Sequence, residues 1–186
     1  MGQAVAATNR NQMSEGEAGL PRALVVDDER EVADAYALRL RDPCEVDTAY
    51  SGEAALERIE EQSIDVVLLD RHMPGLSGDE VLAQLDDRGF EGRVVMVTAI
   101  DPGFDVLDMP FHDYLCKPVD REDLRGAVAQ QSEILGYEVL GEYFGVESKR
   151  RVVAAELSEA AREGHEEYQA LVNRANDLEA RARRLL

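Results

Sequence analysis

The sequence predicts an α/β protein: a parallel sheet with helices on both faces, followed by a helical extension. Three observations carry this. Short apolar runs at residues 23–26, 64–69 (interrupted at Asp65) and 94–97 have the length of strands covered on both faces. Between them lie longer segments with apolar residues at helical spacing, and this alternation requires crossover connections and hence parallel strands. Beyond residue 130 the short apolar runs cease and helical spacing continues alone.

The elements follow in order. Residues 1–21 are rich in Gly, Ala, Asn, Gln and Ser without an apolar period and read as a flexible tail. Residues 22–130 form the α/β unit. Its first strand, 23–26, is followed by a helix over 31–40 with Val32, Ala35, Tyr36 and Leu40 on one stripe. A weaker strand at 45–49 precedes a helix over 51–61, with Ser51 as cap and Leu56 and Ile59 facing inward. After the run 64–69 comes a loop with Pro74, Gly75 and Gly78, then a helix carrying Val81, Leu82 and Leu85. The run 94–97 is the next strand and 114–116 a short last one. Asp120 caps the following helix, which carries Leu124, Ala127 and Val128, and Asp123 stands where a capping-box acid belongs.

In open parallel sheets the binding crevice lies at the carboxyl ends of the strands. Asp27, Asp28 and Glu29 follow the first strand, Asp70 follows Leu69, Thr98 follows Val97, and Lys117-Pro118 follows the run 114–116. Three carboxylates in one crevice require a cation to remain ionised together. Hard oxygen ligands with room for water suit Mg2+. A lysine there pairs with a carboxylate or an incoming anion, and a threonine hydroxyl donates to a phosphoryl oxygen. A single Asp after a strand is commonly a helix cap or a solvated loop residue. The joint occurrence, each residue closing its own apolar run, separates this pattern from that one.

Composition bounds the rest. Among 186 residues, 39 acids stand against 20 bases, for a net charge of −19. Most of the excess lies in residues 23–130. So acidic a chain repels nucleic acid and anionic lipid at ordinary salt. It fits a very salty cytoplasm, where the screening length falls to ~3 Å and dense carboxylates cease to repel strongly. Two cysteines, Cys44 and Cys116, make no disulfide scaffold and suit a reducing cytoplasmic setting. The longest strongly apolar stretch, 94–100, falls far short of the ~20 residues of a membrane helix, and the first residues have no secretory pattern. His112 and His165 have no neighbours at metal-ligand spacing, and Cys44 and Cys116 read as small apolar packers.

Asp27-Asp28, Asp70 followed by Met73-Pro74 and Gly78, Thr98-Ala99 and Lys117-Pro118 resemble the receiver domain of two-component response regulators, over residues 22–130. The resemblance implies a flavodoxin-like five-stranded sheet in the order 2-1-3-4-5. It implies that Asp70 is the phosphoacceptor and that Asp27, Asp28, Asp70 and the backbone carbonyl of His72 hold Mg2+. It further implies that Lys117 binds the phosphoryl group and that the Lys117-Pro118 bond is cis. Thr98 and Tyr114 then stand at the switch positions. The partner it implies is a histidine kinase. The chain departs from the pattern between Thr98 and Lys117, where Pro102, Gly103 and Pro110 argue for a short or irregular helix.

Residues 131–186 read as a separate helical module. Gly136, Gly141 and Gly145 each cost a helix interior ~1 kcal/mol and predict a hinge or broken helix. From Ala154 a 3-4 spacing runs through Leu157, Ala161, Gly164, Tyr168, Leu171, Ala175, Leu178, Ala182 and Leu185. Its alanines favour close packing over a strong zipper. The seam suits docking on the chain's own receiver, a homodimeric coiled coil, or a hairpin folded at Gly164. This region resembles the HalX module of halophilic archaea. Its basic clusters, Lys149-Arg150-Arg151 and Arg181-Arg183-Arg184, could touch phosphates, but the module stays net negative and has no recognition-helix motif, and a cationic helix C-terminus is more simply matched to the helix dipole.

The reading is a signalling switch that is not an enzyme and acts on an unknown downstream protein. The alternative is a DNA-binding transcriptional regulator on the same receiver. An aspartyl-phosphate enzyme is disfavoured because the chain has no Asp-x-Asp motif, and a nucleotide enzyme because neither lysine follows a glycine in a phosphate loop.

Overall fold

A computed structural model describes residues 19–186. The tail expected over residues 1–21 therefore lies, up to residue 18, outside the described residues. Five parallel strands, β1 (Arg22–Val26), β2 (Glu45–Ala49), β3 (Val66–Leu69), β4 (Arg93–Thr98) and β5 (Asp113–Cys116), form one sheet in the order β2-β1-β3-β4-β5. The inner strands are buried on both faces, which is why they read as unbroken apolar runs.

Two apolar layers flank the sheet. On one face α1 (Arg30–Leu40) and the start of α4 (Arg121–Glu156) cover Ala23, Val25, Val66, Leu68, Val95 and Val97. On the other α2 (Gly52–Glu61) and α3 (Gly78–Asp87) cover Leu24, Val26, Val67, Leu69, Val94 and Met96. The caps are local. Ser51 accepts the Ala54 N–H, Ser77 and Glu80 form a reciprocal capping box, and Asp120 accepts the Glu122 and Asp123 N–H groups. The buried stripe of α1 is Ala33, Tyr36, Ala37 and Leu40, whereas Ala35, expected inside, is exposed.

Between β4 and β5 the only helical turn is the three-residue 3-10 turn Phe104–Val106, which buries no side chain. Prolines 102 and 110 bracket it, each removing a backbone donor.

The expected break at Gly136, Gly141 and Gly145 is absent. The helix α4 runs unbroken for 36 residues. After the short α5 (Glu159–Glu163), α6 (Glu166–Leu185) returns antiparallel along it, with Leu186 near Gly136 and Arg174 near Glu142. The three glycines cost about 3 kcal/mol together. Leu135, Val139, Leu178, Ala182 and Leu185 are buried between the two helices, and each large side chain contributes roughly 1.5–3 kcal/mol, so packing outweighs propensity. At Gly136 a Cβ would lie 2.7 Å from the exposed Leu186 side chain, which would have to shift to admit it. Only the second half of the 3-4 seam, Ala175, Leu178, Ala182 and Leu185, is buried, because the chain turns at Leu157 and Ser158.

The hairpin also docks on the receiver, at the amino ends of the strands. Asp65, fully buried just before β3, accepts hydrogen bonds from Arg181 Nε (3.2 Å), Arg184 Nε (3.1 Å), Arg184 Nη2 (3.0 Å) and the Arg22 backbone N–H (3.0 Å). Arg174 and Arg181 also reach Glu91. Arg184 does lie in the last turn of α6, as the dipole reading expects, but Arg181 and Arg184 are in addition ion-paired to the receiver, which the sequence reading did not foresee. Arg183 does stay on its own helix, paired with Glu179.

Candidate functional site

Strand register builds the site. Val26 pairs with Leu69, so the next residues, Asp27 and Asp70, emerge side by side. Thr98 pairs with Cys116, so Lys117 emerges one step beyond Thr98 on the same edge. Backbone hydrogen bonds continue the ladder past the strands: Asp27 N–H to Ala49 O, Asp70 N–H to Val26 O and Lys117 N–H to Thr98 O, the last at 2.7 Å.

Carboxylate oxygens of Asp27, Asp28 and Asp70 all lie within 4.8 Å of one another. Asp27 is 2% exposed and Asp70 7%. Lys117 Nζ donates to Asp27 Oδ2 at 2.6 Å and stands 3.3 Å from Asp70 Oδ1. One ammonium therefore faces three clustered acids. Burial pushes the Asp70 carboxyl above the ordinary carboxylate range; Lys117 pulls it back down and Asp27 adds to the rise. Burial pulls the Lys117 ammonium down, but its hydrogen bond to Asp27 and the charge of Asp70 outweigh that and hold it above the usual lysine value. Excess negative charge at short range, all of it hard oxygen, fits a small divalent cation.

Thr98 is buried, and its Oγ1 accepts the Ile100 N–H at 3.4 Å. Tyr114 is half-buried, and its hydroxyl donates to the Ile100 carbonyl at 2.8 Å. Both residues thus meet on Ile100. The Lys117-Pro118 bond is cis. The His72 side chain is exposed. Gly78 opens α3 directly against the site: a Cβ there would sit 2.0 Å from the Asp70 carbonyl oxygen. Its N–H donates to the Arg71 carbonyl.

Sequence reasoning missed Arg71. Its guanidinium donates through Nε to Asp79 (3.0 and 3.2 Å) and through Nη2 to Asp105 (2.5 Å), and it lies beside the Tyr114 hydroxyl. Neither carboxylate falls at a spacing from Arg71 that a single helix or strand would bring together, so no local signal marks it. Among the described residues no helix is long and apolar enough to cross a membrane.

A parallel sheet with acids and a lysine at its carboxyl edge defines a receiver-type signalling domain. The family model for the response regulator receiver domain matches residues 23–129, and that for the HalX domain matches residues 133–186. The chain belongs to the response regulator receiver family and carries a HalX domain. A Haloferax volcanii protein whose name describes a transcriptional regulator is 41% identical over 142 residues, which are 75% of this chain and 24% of that protein. The transcriptional regulatory protein CutR of Streptomyces coelicolor is 44% identical over 101 residues, 52% of this chain and 46% of CutR. The chain thus spans less than half the length of these relatives. Among solved structures, the response regulator protein TrrA of Thermotoga maritima, in complex with Mg2+ and BeF, superposes with a TM-score of 0.54 at 28% identity, covering 60% of this chain and 99% of that one.

Proposed function

We propose that this chain is a phosphorylation-driven switch in which Asp70 accepts a phosphoryl group from the phosphohistidine of a histidine kinase. The observation that carries this is the placement of Lys117 Nζ against Asp27 and Asp70 at 2.6 and 3.3 Å, within a cluster of three carboxylates. An ionised Asp70 oxygen attacks phosphorus, the bond from phosphorus to the imidazole nitrogen breaks, and the imidazole leaves and takes up a proton. Asp27, Asp28, Asp70 and the His72 backbone carbonyl are the residues that would hold Mg2+, which neutralises charge on the transferring oxygens when bound. Lys117 exchanges its pairing with Asp70 for a phosphoryl oxygen. The donor set and the Mg2+–BeF complex of the TrrA relative support this assignment.

The added phosphoryl carries roughly one more negative charge than the carboxylate. The Thr98 hydroxyl turns toward it and gives up the Ile100 N–H. Because Ile100 also holds the Tyr114 hydroxyl, the two switch residues move together. The receiver spans residues 22–130 and the HalX-like module 131–186, acting in the cytoplasm on a downstream protein, without an enzymatic reaction of its own beyond this transfer. Homodimerisation through the α6 seam is disfavoured, because that seam is packed on α4 of the same chain. DNA binding is the second reading, favoured by the names of the Haloferax and Streptomyces relatives. With Mg2+ and a small phosphodonor such as acetyl phosphate, the chain becomes labelled and Asp70→Asn does not. Labelling that persists in that variant refutes the assignment.

A further inference from the structure

The segment 101–108, which replaces a regular helix between β4 and β5, is held in an unusual way. Its backbone hydrogen bonds are local: Val106 N–H to Gly103 O, Leu107 N–H to Phe104 O, and Met109 N–H to Val106 O. Phe104 is 92% exposed and Leu107 74%, so the segment has little apolar anchorage. Among the described residues its one hydrogen bond or ion pair to the rest of the chain is Asp105 Oδ2 with Arg71 Nη2 at 2.5 Å.

Arg71 is also the residue next to Asp70. Its carbonyl accepts the N–H of Gly78, the residue that opens α3. Its guanidinium is largely buried and is paired with Asp79 and Asp105, with the Tyr114 side chain nearby. One residue therefore joins the phosphoacceptor, the start of α3, the switch tyrosine and the 3-10 turn.

We propose that Arg71 is a positioning residue that tethers the segment 101–108 through Asp105 and releases it when an anion is added at Asp70. This rests on the phosphoacceptor reading above. The balance is electrostatic. Of the two carboxylates on the guanidinium, Asp79 sits in the first turn of the packed helix α3, whereas Asp105 sits, more than half exposed, on a segment with little apolar anchorage, so the Asp105 contact is the one that movement of the backbone can break. A phosphoryl group brings new acceptor oxygens beside the same residue, and the Asp105 contact yields first. The segment, with no other polar tie among the described residues, then detaches.

The test uses the full chain with chymotrypsin, at one fixed KCl concentration. Cleavage after Phe104 and Leu107 is followed by mass spectrometry, with and without Mg2+ and beryllofluoride, and bound beryllofluoride is observed by fluorine NMR. Asp105→Asn removes the tether without touching the acidic cluster, and should speed cleavage about threefold without the mimic, as expected for loss of a partly exposed ion pair. In the wild type beryllofluoride should produce a rise of similar size. In Asp105→Asn it should bind and produce no further rise. A mimic response in Asp105→Asn equal to that of the wild type, or equal cleavage of the two proteins before the mimic is added, overturns the tether. If the wild type shows no bound beryllofluoride, the phosphoacceptor reading falls, and the comparison without the mimic still decides whether Arg71 and Asp105 hold the segment.

Discussion

Asp65→Asn probes the contact that joins the hairpin to the receiver. The carboxylate is fully buried and takes three hydrogen bonds from Arg181 and Arg184. Breaking a buried ion pair costs about 3–5 kcal/mol when the stranded charge stays buried. Here both arginine side chains are 17% exposed, so they can turn to water, and Arg181 keeps Glu91. Asparagine also keeps one oxygen for the Arg22 N–H. The loss should therefore fall below that range, at about 2 kcal/mol, which for a domain of this size lowers Tm by roughly 4–8 °C. Denaturant unfolding measures the first quantity, and hydrogen exchange of α6 amides locates it. Because the pair is buried, the loss should be nearly equal at 0.1 and 1 M KCl, although the screening length shrinks from about 10 to 3 Å. A loss below about 0.5 kcal/mol, with α6 exchange unchanged, refutes docking through Asp65.

Two further outcomes follow from the site. Gly78→Ala forces a methyl to within 2.0 Å of the Asp70 carbonyl, so it should destabilise the fold by about 1–3 kcal/mol and reduce labelling at Asp70, read by unfolding and by phosphodonor labelling. Asp70 has its carboxyl raised by burial, so its contribution to stability is full below the ordinary carboxylate pKa of 3.8 and is lost as pH rises through the higher folded value. Without Mg2+, Asp70→Asn should thus melt above the wild type at pH 7, with the gap closing as pH falls through the acid range. A gap that stays constant with pH would show that the buried charge is not its cause.

The receiver was legible because its information is local. Continuous runs such as 66–69 and 94–97 mark buried parallel strands, and the residue after each run must emerge at the same edge. The rule puts Asp27, Asp70, Thr98 and Lys117 on one edge from the sequence alone. Helix faces were less exact, as Ala35 shows, since a stripe three or four residues wide does not say which edge meets the sheet. The glycines of α4 misled because propensity is intrinsic to the segment while the compensating packing comes from α6, some forty residues away.

What the order of residues determined by itself is the sheet and its polar edge. Periodicity and strand ends depend on neighbours in the chain. The tertiary structure alone decided that α6 folds back on α4, that Arg181 and Arg184 meet a buried Asp65, and that Arg71 holds Asp105. An arginine carries no mark of which distant carboxylate it will find; that choice is made only when packing brings the two together.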